Sequence, residues 1–107
     1  MIARVGFLAV AMLSASSATY AGEAEEFLFA TEAGQAIGSS DACGYKLDAS
    51  KVATFTETRI ANLGQMARMN FSSASSIQPD SIGTMTETQK VSHCALNQAL
   101  AKKLELL

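Results

Sequence analysis

The sequence predicts an all-α protein: a small three-helix domain closed by one disulfide and preceded by a cleaved signal peptide. Three observations carry that expectation. Apolar residues recur at three- and four-residue spacing without sustained strand-type alternation. Cys43 and Cys94 are the only cysteines, and the first 21 residues have a composition of their own.

The leader comes first in the chain. Met1-Ile2-Ala3-Arg4 precedes an apolar run from Val5 to Leu13 and a small, polar stretch ending Ala18-Thr19-Tyr20-Ala21. This is the three-part layout of a secretory signal, with Thr19 and Ala21 as the small residues before the cut. Ser14, Ser16 and Ser17 end the apolar run well short of the roughly 20 residues a bilayer span requires. Residues 1–21 therefore read as a signal peptide, with no stable membrane insertion after cleavage, and the mature product is expected in a periplasm or secreted.

Residues 22–107 then form a single small domain, near the size at which an unassisted core becomes marginal. An exported chain meets oxidising conditions in which two thiols pair. Cross-linking Cys43 to Cys94 closes a loop that stabilises the fold by roughly 4 kcal/mol in the chain-entropy account.

The first helix is expected over Glu23 to Ile37, where Phe27, Ala30, Gly34 and Ile37 share a face with Ala33 beside them. The centre of that face is small enough for another helix to approach closely. Glu23, Glu25 and Glu26 suit the positive end of the helix dipole. Gly38-Ser39-Ser40-Asp41 reads as a stop and a turn.

Asp48 is the expected N-cap of a second helix running to about Met69. Val52, Phe55, Ile60, Leu63, Met66 and Ala67 lie in one stripe of it. Five serines, Pro79 and Gly83 mark about 70–83 as the main loop. Thr84-Met85-Thr86-Glu87 matches a capping box and predicts a third helix to about Glu105. Leu96 and Leu100 are expected to enter the core, with Cys94 on the opposite side reaching the segment between the first two helices.

Charge and chemistry narrow the function. Residues 22–107 carry seven Lys and Arg against ten Asp and Glu, and the cations stand singly except Lys102-Lys103. A nucleic-acid surface needs a basic face, so nucleic acid is not an expected partner. No Gly-x-Ser-x-Gly turn or Cys-x-x-Cys pair is present, and His93 is the single histidine. No catalytic residue, cofactor or metal site is therefore assigned.

Two side chains stand out as speculative partner or pH contacts. Arg59 sits inside the apolar stripe of the second helix. It is read either as an anion or partner contact or as a side chain lying along the stripe edge. His93, beside Cys94, is of the type that changes charge around neutral pH; the plainer reading is a surface histidine. Met66 and Met69 flank Arg68 and read as core or half-exposed packing, or as a soft patch with Phe71. Asn70-Phe71-Ser72 matches a glycosylation sequon, a pattern common by chance.

The leading expectation is an exported, non-enzymatic accessory or interaction module whose partner is another protein. A second is a stress-responsive holdase that loosens in acid as carboxylates lose their structural roles. In plan the chain is similar to small periplasmic acid-stress chaperones, being helical, exported and cross-linked once over a long loop, though it shares no motif with them. A third is a small inhibitor of a secreted enzyme, presenting Ser72 to Ile82 as a loop.

Overall fold

The computed structural model describes residues 22–107, which are mostly helical and contain no strand. The expected signal peptide, residues 1–21, lies outside the described residues. Helix α1 covers 22–38 and is followed after Ser39 by the short α2, Ser40–Cys43. Helix α3, Ala49–Phe55, continues into a π-helical segment, Thr56–Ile60. Helices α4, Gln65–Gly83, and α5, Glu87–Lys103, complete the chain.

Local chemistry explains most of the boundaries. Gly44 takes the left-handed conformation, φ 77°, that closes α2. The Tyr45 amide then donates to Ser40 O at 3.1 Å, and the Gly44 amide to Asp41 O at 3.3 Å. Asp48 caps α3 as expected, its carboxylate accepting from the Lys51 amide at 3.0 Å. Three alternate threonines follow. Thr56 Oγ1 donates to Val52 O at 2.8 Å and Thr58 Oγ1 to Thr54 O at 2.7 Å. Hydroxyls that bond back to carbonyls loosen the helical ladder. The ladder widens here, with the Ala61 amide reaching back five residues to Thr56 O.

The second helix therefore does not run on to Met69. It ends at the π segment, and the chain turns through 61–64 into α4. Gly64 precedes α4 in an extended conformation, its amide donating to Glu26 on α1.

The expected loop over 70–83 is helical, which corrects the three-helix plan. Helix α4 buries Ala67, Ala74, Gln78 and Ile82, one stripe at helical spacing, while Ser72, Ser73 and Ser76 face solvent. Pro79 sits inside this helix.

The start of α5 is shifted by two residues. Thr84 Oγ1 donates to Ser81 O at 2.9 Å and so belongs to the end of α4. The capping box is the overlapping Thr86–Gln89 pair: the Gln89 amide donates to Thr86 Oγ1 at 3.2 Å, and Gln89 Oε1 accepts from the Thr86 amide at 3.0 Å. At the other end α5 stops at Lys103 rather than Glu105. The Glu105 amide donates to Lys102 O at 3.1 Å and the Leu106 amide to Ala101 O at 2.9 Å. These two bonds make a Schellman closure with Glu105, φ 60°, where glycine usually stands.

Contacts pair α1 with α4 in increasing order along both helices, so the two run parallel. Glu26 meets Gly64, Thr31 meets Asn70, and Gly38 meets Ser75. The small face expected on α1 is what makes this possible. A β-carbon added at Gly34 would stand 2.9 Å from Ala74 Cβ, and one at Gly38 would stand 2.8 Å from the carbonyl carbon of Ser75. Pro79 has no N–H to give to the Ser75 carbonyl four residues earlier, and that freed carbonyl is the group directed at Gly38.

The other side of α1 meets a core of larger side chains. Ala33 and Ala36 pack with Tyr45, Phe55, Ile60 and Leu106, and Ile37, Val52 and Leu63 enclose them. Tyr45 donates its hydroxyl to Ala36 O, and burial raises its pKa to about 12. The C-terminal residues close the core, because the Asp48 amide donates to Leu106 O at 2.8 Å. Leu100 packs against this core, whereas Leu96, also expected there, is 70% exposed. Asn97 and Ala101 are the buried positions of α5.

Candidate functional site

His93 is partly buried. Helix α5 holds it one turn before Asn97, against Gln78 of α4 and Ser39 of the α1–α2 turn. His93 Nε2 lies 2.9 Å from Gln78 Oε1, and Ser39 Oγ donates to the same oxygen at 3.1 Å. Asn97 Nδ2 donates to the His93 carbonyl at 2.9 Å. Asn97 Nδ2 also faces His93 Nε2, at 3.2 Å, so the ring nitrogen stands between an acceptor on Gln78 and a donor on Asn97. Ser39, Gln78 and Asn97 are 0%, 4% and 5% exposed. Among the described residues every buried side-chain polar atom has a partner, as burial of such groups requires.

A serine 3.5 Å from a histidine invites comparison with a nucleophile and its base. The arrangement does not support that chemistry. Ser39 is sealed from solvent, and its hydroxyl proton is directed at Gln78 rather than at the ring. The cluster instead locks three segments together beside the cross-link.

That cross-link is present. Cys43 at the end of α2 and Cys94 in the middle of α5 form a disulfide with their Cα atoms 5.3 Å apart, as expected for an oxidising compartment. Both sulfurs are thereby withdrawn from metal or redox-pair roles in this state. No helix among the described residues is long and apolar enough to cross a membrane.

Arg59 sits in the π segment with its guanidinium 4.8 Å from the centre of the Phe29 ring and 5.9 Å from that of Phe55. The two rings lie 5.8 Å apart. The cation thus covers an apolar stripe, and the residue itself is exposed. It borders the groove between α3 with its π segment and the end of α5, a volume of about 770 Å³. Thr54, Thr58 and Phe55 contribute from one element; Lys102, Leu104 and Glu105 contribute from the other. Lys51, also on the lining, donates to Leu107 O at 2.8 Å.

A third feature is apolar. Phe27 and Leu28 on α1 are 48% and 59% exposed, and Met66 and Met69 on α4 are 73% and 57% exposed. Phe27 and Met66 line a shared groove of about 470 Å³ rimmed by Glu23 and Glu26. The methionines are thus outside the core, while Phe71 packs towards it.

No known family, no characterised protein and no solved structure matches this chain.

The positions of the residues singled out in the sequence differ in kind. Cys43 and Cys94 come together; His93 adjoins their bridge through Cys94; Arg59 stands apart with its aromatic rings. Sequence reasoning missed Ser39, Gln78 and Asn97. One signal was available, since Gln78 falls on the helical frame of Ala67, Ala74 and Ile82.

Proposed function

We propose that the chain is an exported, non-enzymatic interaction module that binds another protein outside the cytoplasm through the α1–α4 edge. The observation supporting this reading is the group of large apolar side chains left exposed there, Phe27, Leu28, Met66 and Met69. Single exposed apolar residues are ordinary, but four around one pair of parallel helices, with Phe27 and Met66 in one groove, match the way partner surfaces are built. Exposed methionines let such a surface adapt to its partner. The layout of residues 1–21 and the disulfide support export.

Cross-linking in an extracytoplasmic extract, followed by reconstitution with the purified partner, tests this. The Phe27→Gln/Met66→Gln variant should keep the helical content of the parent and lose at least about 90% of the reconstituted binding, the scale of a truncated hot spot. Equal binding by parent and variant would place the partner elsewhere or remove the reading.

A holdase is the second reading, favoured by two carboxylates that accept backbone amides: Glu26 joins α1 to the start of α4, and Asp48 caps α3. Suppression of aggregation of unrelated clients in acid, absent at neutral pH, separates it from a dedicated partner. The inhibitor reading loses its basis, because the segment expected to be its presenting loop is part of α4.

A further inference from the structure

The charges of this acidic chain are not evenly spread. Residues 22–107 hold seven Lys and Arg against ten Asp and Glu, yet the groove between the π segment and the end of α5 gathers three of the cations and one acid. Lys51, Arg59 and Lys102 line it together with Glu105. A concave surface lined with one sign of charge concentrates ligands of the other.

Arg59 is also prepared for a ligand. Contact with Phe29 and Phe55 restricts its side chain, so less rotamer freedom is lost when its N–H groups are used. The residue is exposed, so the N–H edge of its fork can meet an acceptor. An oxyanion, with two oxygens spaced to meet the fork, is the group that edge fits best. Ser50 and Thr54 add hydroxyls to the same lining. The π segment is a second sign, since such widened turns recur at functional positions.

The remaining lining is apolar, contributed by Phe55, Leu104 and Leu107. A bare inorganic ion would leave that surface unused, and the volume of about 770 Å³ is in the range that takes a small organic ligand.

We propose that this groove binds a small amphipathic oxyanion, a phosphate or carboxylate head on an apolar chain. Arg59 and Lys102 take the head, and Phe55 with Leu104 takes the chain. Glu105 also lines the groove, and its carboxylate weakens the hold on an anionic head. Lys51 has a smaller part, because its ammonium group is already directed at Leu107 O. None of these residues belongs to the α1–α4 edge, so the two proposals succeed or fail separately.

Titration of the disulfide-intact full chain with hexyl phosphate, inorganic phosphate and hexanol, followed by amide NMR shifts and calorimetry, tests the assignment. Hexyl phosphate should move the amides of Thr54–Arg59 and Lys102–Leu107 and bind at least about tenfold more tightly than either fragment. Arg59→Lys keeps the charge and loses the fork; it should weaken hexyl phosphate about fivefold, and Lys102→Gln by a similar factor. Glu105→Asn should tighten it about threefold, with all of these effects shrinking as salt is added.

Absence of saturable hexyl phosphate binding would overturn the proposal. So would hexanol binding as tightly as hexyl phosphate, or affinities unchanged in both Arg59→Lys and Lys102→Gln when circular dichroism shows both folded. A parallel arm with anionic and neutral lipid vesicles distinguishes the source of the ligand. Retention on anionic vesicles supports the assignment with a lipid headgroup as the oxyanion, while hexyl phosphate binding without such retention supports it with a free amphiphile.

Discussion

Helix α1 is buried in two different ways on its two sides. Towards α4 it presents Gly34 and Gly38, and backbone meets backbone. Towards the rest of the molecule it presents Ala33 and Ala36 to Tyr45, Phe55 and Leu106, whose side chains fill the space. The first side is limited by how closely two helices can approach. The second is limited by how completely a volume is filled. The same helix should therefore fail on one side when atoms are added and on the other when they are removed.

Removing atoms should have the largest effect. Phe55 is 6% exposed and packs on Phe29, so Phe55→Ala should cost about 4 kcal/mol in urea denaturation, while leaving the α1–α4 hydrogen bonds in place. A loss below about 1 kcal/mol would mean that the filled side contributes little.

Adding one methyl to the other side should cost nearly as much. Gly38→Ala sets a β-carbon against the backbone of Ser75, which has no rotamer to give, and should destabilise by about 3 kcal/mol. Gly83→Ala is the control, because a β-carbon there meets nothing within 4 Å; it should be neutral or stabilising by up to about 1 kcal/mol. If the two alanine variants melt alike, the close approach is not what holds α1 to α4.

The filled side also has a pH limit that the glycine side lacks. Burial raises the Tyr45 pKa from 10.0 to about 12, so the folded state favours the neutral phenol. Its contribution is complete below pH 10 and is lost as pH rises towards 12, because the unfolded chain releases the proton first. Tyr45→Phe should remove that part of the alkaline decline in a pH-resolved denaturation series, at the cost of the hydrogen bond to Ala36.

The smallest effect concerns two helix ends of one design. Gly44 and Glu105 both occupy the left-handed position of a Schellman closure, φ 77° and φ 60°, but only Gly44 does so without a side-chain penalty. Glu105→Gly should raise stability by about 1 kcal/mol, and a thermal melt of that variant beside Gly44→Ala, which should lose a similar amount, checks the pair.

These contrasts explain what could be read from the sequence. The small face of α1, the Asp48 cap, the disulfide, the buried Phe55 and Ile60 and the partly buried Val52 and Leu63 follow from spacing and local chemistry. Helix α4 was hidden by its role. A helix that packs on glycine needs small residues in its buried stripe, and Ala67, Ala74 and Gln78 give no strong apolar period. Its exposed serines and Pro79 then resemble a loop. Arg59 was visible as a charge out of place, but the ring of Phe29 that meets it and Lys102, which shares its groove, come from distant parts of the chain. The same holds for His93, whose partners Ser39 and Gln78 come from other elements.

The parallel pairing of α1 with α4 has a consequence for the order of events during synthesis. Two helices that run in the same direction cannot be joined by a tight turn, so the chain must pass through α2, α3 and the π segment before α4 begins. Gly38 finds Ser75 only after that detour, and contacts so distant along the chain form late in folding. Until residues near 78 have emerged, the glycine side of α1 has no surface to rest against. Helix α1, the first of the described elements, is thus fully housed only once α4 has been made, and the disulfide closes only after Cys94 of α5 has followed.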